Sequence, residues 1–175
     1  MDGWPDEKWI DTRNSGVRNL MKARIATAKS KGCDGVDPDN IDGYNNDSGF
    51  PLTEADAVSY VKFLAQIAHD AGLSFGLKNG GDIVTQVVSV SEYAVNEQCV
   101  QYTECDLHQP FIKAGKPVFH IEYTEKEPAP AAFSKKVCSA KNAKGFSTLI
   151  KHLDLTAWTE TCHAPQANAA RRHRH

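Results

Sequence analysis

The sequence predicts an α/β fold built on a parallel sheet, and three observations predict it. Strand-like and helix-like segments alternate along the 175 residues, the pattern that crossover helices impose on parallel strands. Asp11, Asp39, Lys78, Glu97 and Glu122 all fall at or just past the C-terminal end of a strand candidate. In a barrel of the TIM type these ends share one face, and that face carries the chemistry. The rival, an open doubly wound sheet, finds no support, because the chain has neither a Gly-x-Gly-x-x-Gly fingerprint nor a Walker loop.

Lys8-Trp9-Ile10-Asp11-Thr12 reads as a short strand. A helix follows, capped by Ser15, with Val17, Leu20, Met21, Ile25 and Ala28 on one face. Gly32 ends it in a left-handed cap. An aspartate-rich strand and loop run from Gly32 to Tyr44. Thr53-Glu54-Ala55-Asp56 opens a second helix like a capping box. Its stripe is Tyr60, Leu64, Ile67, Ala68 and Ala71, and Gly72 stops it. Leu73 to Asn79 alternates as a strand, and Asn79-Gly80-Gly81 reads as a turn. Asp82 to Val88 is a helix candidate, Glu92 to Glu97 a strand, and Asp106 to Lys113 a helix stopped by Gly115. Lys116 to Tyr123 is the clearest strand; a helix from Ala131 to Lys141 and a strand from Phe146 to Lys151 complete the series.

Hydrophobic content of 41% and charged content of 24% are those of a globular domain. A net charge of -2 gives no field for a nucleic-acid partner. No apolar run reaches membrane-span length, and no signal-peptide pattern follows Met1 in Asp2-Gly3-Trp4-Pro5. The reading is one domain over residues 1–163, acting as a monomer, with 164–175 as a disordered basic tail. Cys99 and Cys105 lie close together, Cys138 and Cys162 bracket a later segment, and Cys33 is left over. No zinc spacing is present. Two disulfides and a free thiol place the chain in an oxidising compartment; five reduced cysteines in the cytosol is the other reading.

The segment Gly32-Cys33-Asp34-Gly35-Val36-Asp37-Pro38-Asp39-Asn40-Ile41-Asp42-Gly43-Tyr44 is the most informative. Taken alone it is either an acidic solvated loop or a strand delivering carboxylates to the mouth of a fold. It is not a calcium loop: counted from Asp37, Ile41 takes a ligand position and no glutamate closes the loop.

This segment resembles glycoside hydrolase family 114, the endo-α-1,4-polygalactosaminidases. So do Trp9-Ile10-Asp11-Thr12-Arg13, Gly76-Leu77-Lys78-Asn79, Val95-Asn96-Glu97-Gln98-Cys99, Gly115 to Tyr123 and Leu155-Thr156-Ala157-Trp158. The resemblance implies a TIM (β/α)8 barrel that lacks its N-terminal units and starts near strand 3. It also implies secretion and hydrolysis within α-1,4-linked galactosamine chains, a polysaccharide substrate, without cofactor or metal. Two other readings stand beside it. One is an inactive sugar-binding fragment, and the other a metal-dependent hydrolase using the aspartates.

Glycoside hydrolysis commonly uses two carboxyl groups. The family pattern selects Asp39, before Asn40-Ile41-Asp42-Gly43-Tyr44, as nucleophile and Glu97 as general acid/base. Lys78 is expected near Asp39, favouring its ionised form. Glu97, followed by Gln98 and a cysteine, is expected to be shielded from water and to have a raised pKa. A rim of Asp11, Asp34, Asp37, Asp42 and Glu122 suits a cationic sugar, and Tyr44, Tyr123 and Trp158 are candidates for stacking on sugar faces.

Overall fold

The structure is a computed structural model that describes residues 4–162. The expected basic tail, 164–175, lies outside the described residues. Six strands form one sheet in chain order: β1 (Gly35–Val36), β2 (Ser74–Lys78), β3 (Tyr93–Glu97), β4 (Val118–Tyr123), β5 (Ser147–Lys151) and β6 (Glu160–Thr161). The first five run parallel, and β6 turns back antiparallel on β5. This is the strand order of a TIM-type barrel. Among the described residues β1 and β6 are the two sheet edges and do not pair with each other.

Helix α1 (Ser15–Ser30) follows the N-terminal segment. Its cap is Asn14, not the expected Ser15: the Asn14 side-chain oxygen accepts from the backbone N–H groups of Gly16 and Val17. Ser15 already lies in the first turn, where its hydroxyl cannot serve as cap. Residues 8–12 are not a strand. Asp11 turns the chain instead, its carbonyl accepting from Asn14 N–H at 3.0 Å and its side chain from Arg13 N–H at 3.1 Å. Local bonds of this kind compete with a ladder.

Helix α2 (Glu54–Asp70) opens with the Thr53–Asp56 capping box, as the sequence indicates. It buries Val61, Leu64, Ala65 and Ala68 against the sheet. Truncating Leu64 to Ala would cost about 2–5 kcal/mol. Gly72, at φ 68°, ends it in the left-handed region where a side chain is strained. The expected 82–88 helix is broken into 3₁₀ turns around α3 (Val84–Val87). Its run of valines buries Val84 and Val87 but resists a longer regular helix. The 106–113 helix is a 3₁₀ turn followed by α5 (Gln109–Lys113), and α6 (Ala131–Cys138) ends three residues before the expected Lys141. A short helix the sequence did not reveal, α4 (Cys99–Tyr102), follows β3 directly.

The sheet has two unlike faces. Ala94, Asn96, Val118, His120, Glu122, Thr148 and Ile150 are buried on one. The opposite face carries Lys78, Val95, Glu97, Phe119, Ile121, Leu149 and Tyr123, aligned by the ladder pairs Lys78↔Val95, Val95↔Phe119, Glu97↔Ile121 and Ile121↔Leu149. Here Phe119 is 46% and Leu149 37% exposed, so this face lacks a covering layer among the described residues. Gly76 lies on it because Tyr93 crosses over it; an added Cβ would fall 2.2 Å from the ring. The C-terminal ends of β2, β3 and β4 emerge side by side, and the polar residues there form the site.

Candidate active site

Lys78 closes β2, Glu97 closes β3 and Tyr123 closes β4. Parallel register brings the three ends together. Lys78 Nζ donates to Glu97 Oε2 at 2.5 Å and to Asp39 Oδ1 at 3.2 Å. The Tyr123 hydroxyl donates to Glu97 Oε1. Asn79, just past β2, completes the grip: its Oδ1 accepts the Glu97 backbone N–H at 2.9 Å and its Nδ2 reaches Glu97 Oε2 at 3.4 Å. Its backbone N–H bonds Val95 O, and its carbonyl lies 3.3 Å from Nε2 of buried His108.

The charges follow from these contacts. Burial pushes the Glu97 carboxyl up, but the hydrogen bonds from Lys78, Tyr123 and Asn79 outweigh it and hold its pKa below the ordinary value. The expected rise is therefore corrected: the same partial burial brings a cation with it. Burial pulls Lys78 down, but Glu97 and Asp39 win and hold it above its usual value. Burial raises the Tyr123 hydroxyl, and the adjacent Glu97 raises it further. Asp37 is raised by burial first, with Lys78 opposing and Asp39 adding repulsion. Asp39 is the open member, with 59% of its side chain exposed; its Oδ1 also takes the backbone N–H of Asn40.

The model of glycoside-hydrolase family GH114 matches residues 1–166. The chain belongs to this family. It is a glycoside hydrolase.

Among solved structures, this GH114 chain is similar to Ega3 of Aspergillus fumigatus, crystallised with galactosamine. The two share 47% identity over 93% of this chain and 67% of Ega3, at a TM-score of 0.87. The glycoside hydrolase domain of PelA from Pseudomonas aeruginosa has the same fold at 14% identity, covering 90% of this chain and 70% of that one, at a TM-score of 0.62. A variant of the PelA domain matches equally well, at 14% identity and a TM-score of 0.63 over 89% of this chain and 69% of that one. No curated protein matches the chain.

The other candidate residues of this GH114 chain are dispersed. Asp11 is outside the cluster, held by Arg13 in a two-point ion pair at 2.8 and 2.9 Å, with Arg13 also donating to Pro51 O. Asp42 accepts from Asn46 Nδ2 at 3.2 Å within its own loop. Tyr44 packs against the core, and its hydroxyl is pushed up to about 12 by burial and by Asp82, Glu54 and Asp42. Trp158 stacks on the His152 ring at 4.2 Å and packs on a small cluster of Ala129, Val137 and Ile150. Glu122 is corrected outright: only 1% exposed, it is on the buried face and cannot be part of a rim. It directly precedes Tyr123, and strand alternation sends the two side chains to opposite faces.

Asn79 is the residue that sequence reading missed. Read as part of a glycine-rich turn, it has φ 51°, with its side chain on Glu97 and its carbonyl against buried His108. An asparagine after a strand, ahead of two glycines, is the residue type that tolerates such a backbone, and that was the available signal. The bridges are Cys99–Cys105 and Cys138–Cys162, with Cys33 free and exposed, as the spacing indicated.

Proposed function

We propose that the chain cleaves α-1,4-linked galactosamine polymers internally, with retention of configuration, using Asp39 as nucleophile and Glu97 as general acid/base. The observation that carries this reading is the shared ammonium of Lys78. Because one nitrogen contacts both carboxylates, Asp39 Oδ1 and Glu97 Oε2 are no more than about 5.7 Å apart. That supports a retaining pair, at roughly 5–5.5 Å, over an inverting pair, which needs roughly 6.5–9.5 Å for an intervening water.

In this reading Asp39 attacks the anomeric carbon while protonated Glu97 gives its proton to the leaving glycosidic oxygen. A glycosyl ester forms on Asp39. Glu97, now ionised, then takes a proton from water, which attacks the same carbon and releases Asp39. The acid step requires the sugar to displace Lys78 from Glu97 Oε2. Lys78 keeps its second contact, on Asp39 Oδ1 at 3.2 Å.

Two observations support the substrate class. Ega3, the 47% identical neighbour, was crystallised with galactosamine, and the Asp39 and Glu97 carboxylates outnumber the Lys78 ammonium between them, a negative bias that suits protonated amino sugars. Asp37 and Tyr123 flank the pair as sugar-binding groups. Two disulfides are consistent with a secreted protein.

Digestion of soluble α-1,4-galactosaminan tests the function. Internal cleavage releases mixed oligomers early and drops the polymer length before monomer accumulates. Binding without new reducing ends leaves only the sugar-binding reading.

A further inference from the structure

We infer that buried Glu122 is a positioning residue for Glu97: its carboxylate pins the turn after β3 and thereby fixes where the Glu97 side chain points. The inference rests on the proposed role of Glu97 and extends it beneath the sheet.

Helix α4 begins two residues past Glu97, and its first-turn N–H groups have no acceptor within so short a helix. Gln98, in the cap position at φ 64°, gives no side-chain cap. Glu122 supplies the acceptor from the neighbouring strand: Val100 N–H donates to Glu122 Oε1 at 2.7 Å. The same oxygen lies 2.9 Å from His120 Nε2, and His120 Nδ1 lies 3.0 Å from Thr148 Oγ1. A carboxylate acceptor selects the tautomer with the proton on Nε2, leaving Nδ1 to accept from the threonine. His120 is fully buried, Glu122 1% exposed and Thr148 6% exposed. The Cys99–Cys105 sulfurs and a His120 nitrogen all lie within 4.8 Å of one another, so the disulfide packs beside the same histidine.

Packing alone does not account for this arrangement. Burying a carboxylate costs several kcal/mol, and well-packed apolar residues would hold a plain core as well or better. The arrangement does give position. The two last residues of β4 act on Glu97 from opposite faces: Tyr123 bonds its carboxylate, and Glu122 anchors the backbone three residues beyond it. Gln98 N–H, bonded to Ile121 O at 2.8 Å, ties down the residue between. Glu97 N–H and Gln98 N–H are held by Asn79 Oδ1 and Ile121 O, and the Glu122 bond to Val100 N–H adds the tie on the turn that follows them.

The test reads the Glu97 carboxyl directly, by ¹³C NMR titration of the full chain and its Glu122→Gln and Glu122→Ala variants. Loosening the turn frees Glu97 from Lys78 and Tyr123, so its pKa rises by about 0.5 or more. Removing a negative charge at position 122 acts through space in the other direction, so a rise is diagnostic. Exchange of the Val100 amide accelerates by about tenfold or more, the loss of a hydrogen bond to a charged group. Val137→Ala, in the separate small cluster, controls for lost stability and leaves both readings unchanged. Should Glu122→Ala not fold, the isosteric Glu122→Gln carries the test, and Thr148→Val gives a smaller shift in the same direction. A Glu97 pKa that stays put or falls in folded Glu122 variants overturns the inference. Hydrolysis by Glu97→Gln is scored separately and bears only on the proposed role of Glu97.

Discussion

Lys78 and Glu97 meet at 2.5 Å across the ends of neighbouring parallel strands, and the same ammonium reaches Asp39 at 3.2 Å. Three charges therefore share one small volume with a cation at its centre. In the free protein this arrangement keeps Glu97 ionised, whereas its proposed first task is to give up a proton.

The pH dependence follows from that conflict. The form of the free enzyme competent for the acid step has Glu97 protonated, so kcat/KM falls as pH rises through the lowered Glu97 pKa. Lys78→Met removes the main group holding that pKa down, so the falling limb moves to higher pH. The maximal rate drops by about 10–100-fold because Asp39 loses its cation too. Rate profiles of the two proteins across acidic pH check both parts; a limb that stays in place refutes the coupling.

Asp39→Asn and Glu97→Gln separate the two roles. The first removes the attacking group, and every substrate fails. The second removes the proton donor, so a galactosaminide with an activated leaving group still reacts in the first step, and azide restores turnover by attacking without general-base help. Burst and steady-state rates on an activated substrate check this.

Asn79 holds both the backbone and the carboxylate of Glu97. Asn79→Gly relieves the left-handed backbone at φ 51° but deletes the clamp, so activity falls by about tenfold or more while stability changes little. Asn79→Ala loses the clamp and adds backbone strain of about 1 kcal/mol. Thermal melts beside kinetics distinguish the two; equal activity in Asn79→Gly and the parent shows the clamp to be dispensable.

Much of this was legible in the sequence, for reasons that differ by element. The capping box at Thr53 and the stops at Gly72 and Gly115 are local, and local signals survive folding. Strands β2 to β5 were found within one or two residues because alternation and flanking turns mark them. The 8–12 strand failed because Asp11 and Arg13 bond each other instead of a neighbour. The site was legible as a line of strand ends, but which side of the sheet each residue faces was not. Glu122 and Tyr123 are adjacent, and one residue of register decides between buried anchor and active-site hydroxyl. The sign of the Glu97 shift was equally hidden, since burial and Lys78 act in opposite directions and only distances show which wins.

The two disulfides should separate by function. Cys99 and Cys105 are 6 residues apart and Cys138 and Cys162 are 24 apart. Chain entropy alone makes the shorter loop worth about 2 kcal/mol and the longer about 3.5 kcal/mol. Removing the longer bridge by paired Cys→Ser changes lowers Tm more. Removing the shorter one lowers activity more, because it closes the turn next to Glu97. Melting curves and rates on the two double variants check the crossing; the same order in both measures contradicts it.

The most direct measurement on the central claim is the configuration of the first sugar released. Proton NMR of the earliest products from α-1,4-galactosaminan, taken before mutarotation, reads it. A retaining pair of Asp39 and Glu97 bridged by Lys78 gives the α-anomer first. A β-anomer first, or no new reducing ends, contradicts the account and recasts Asp39 as a base or as a binding group.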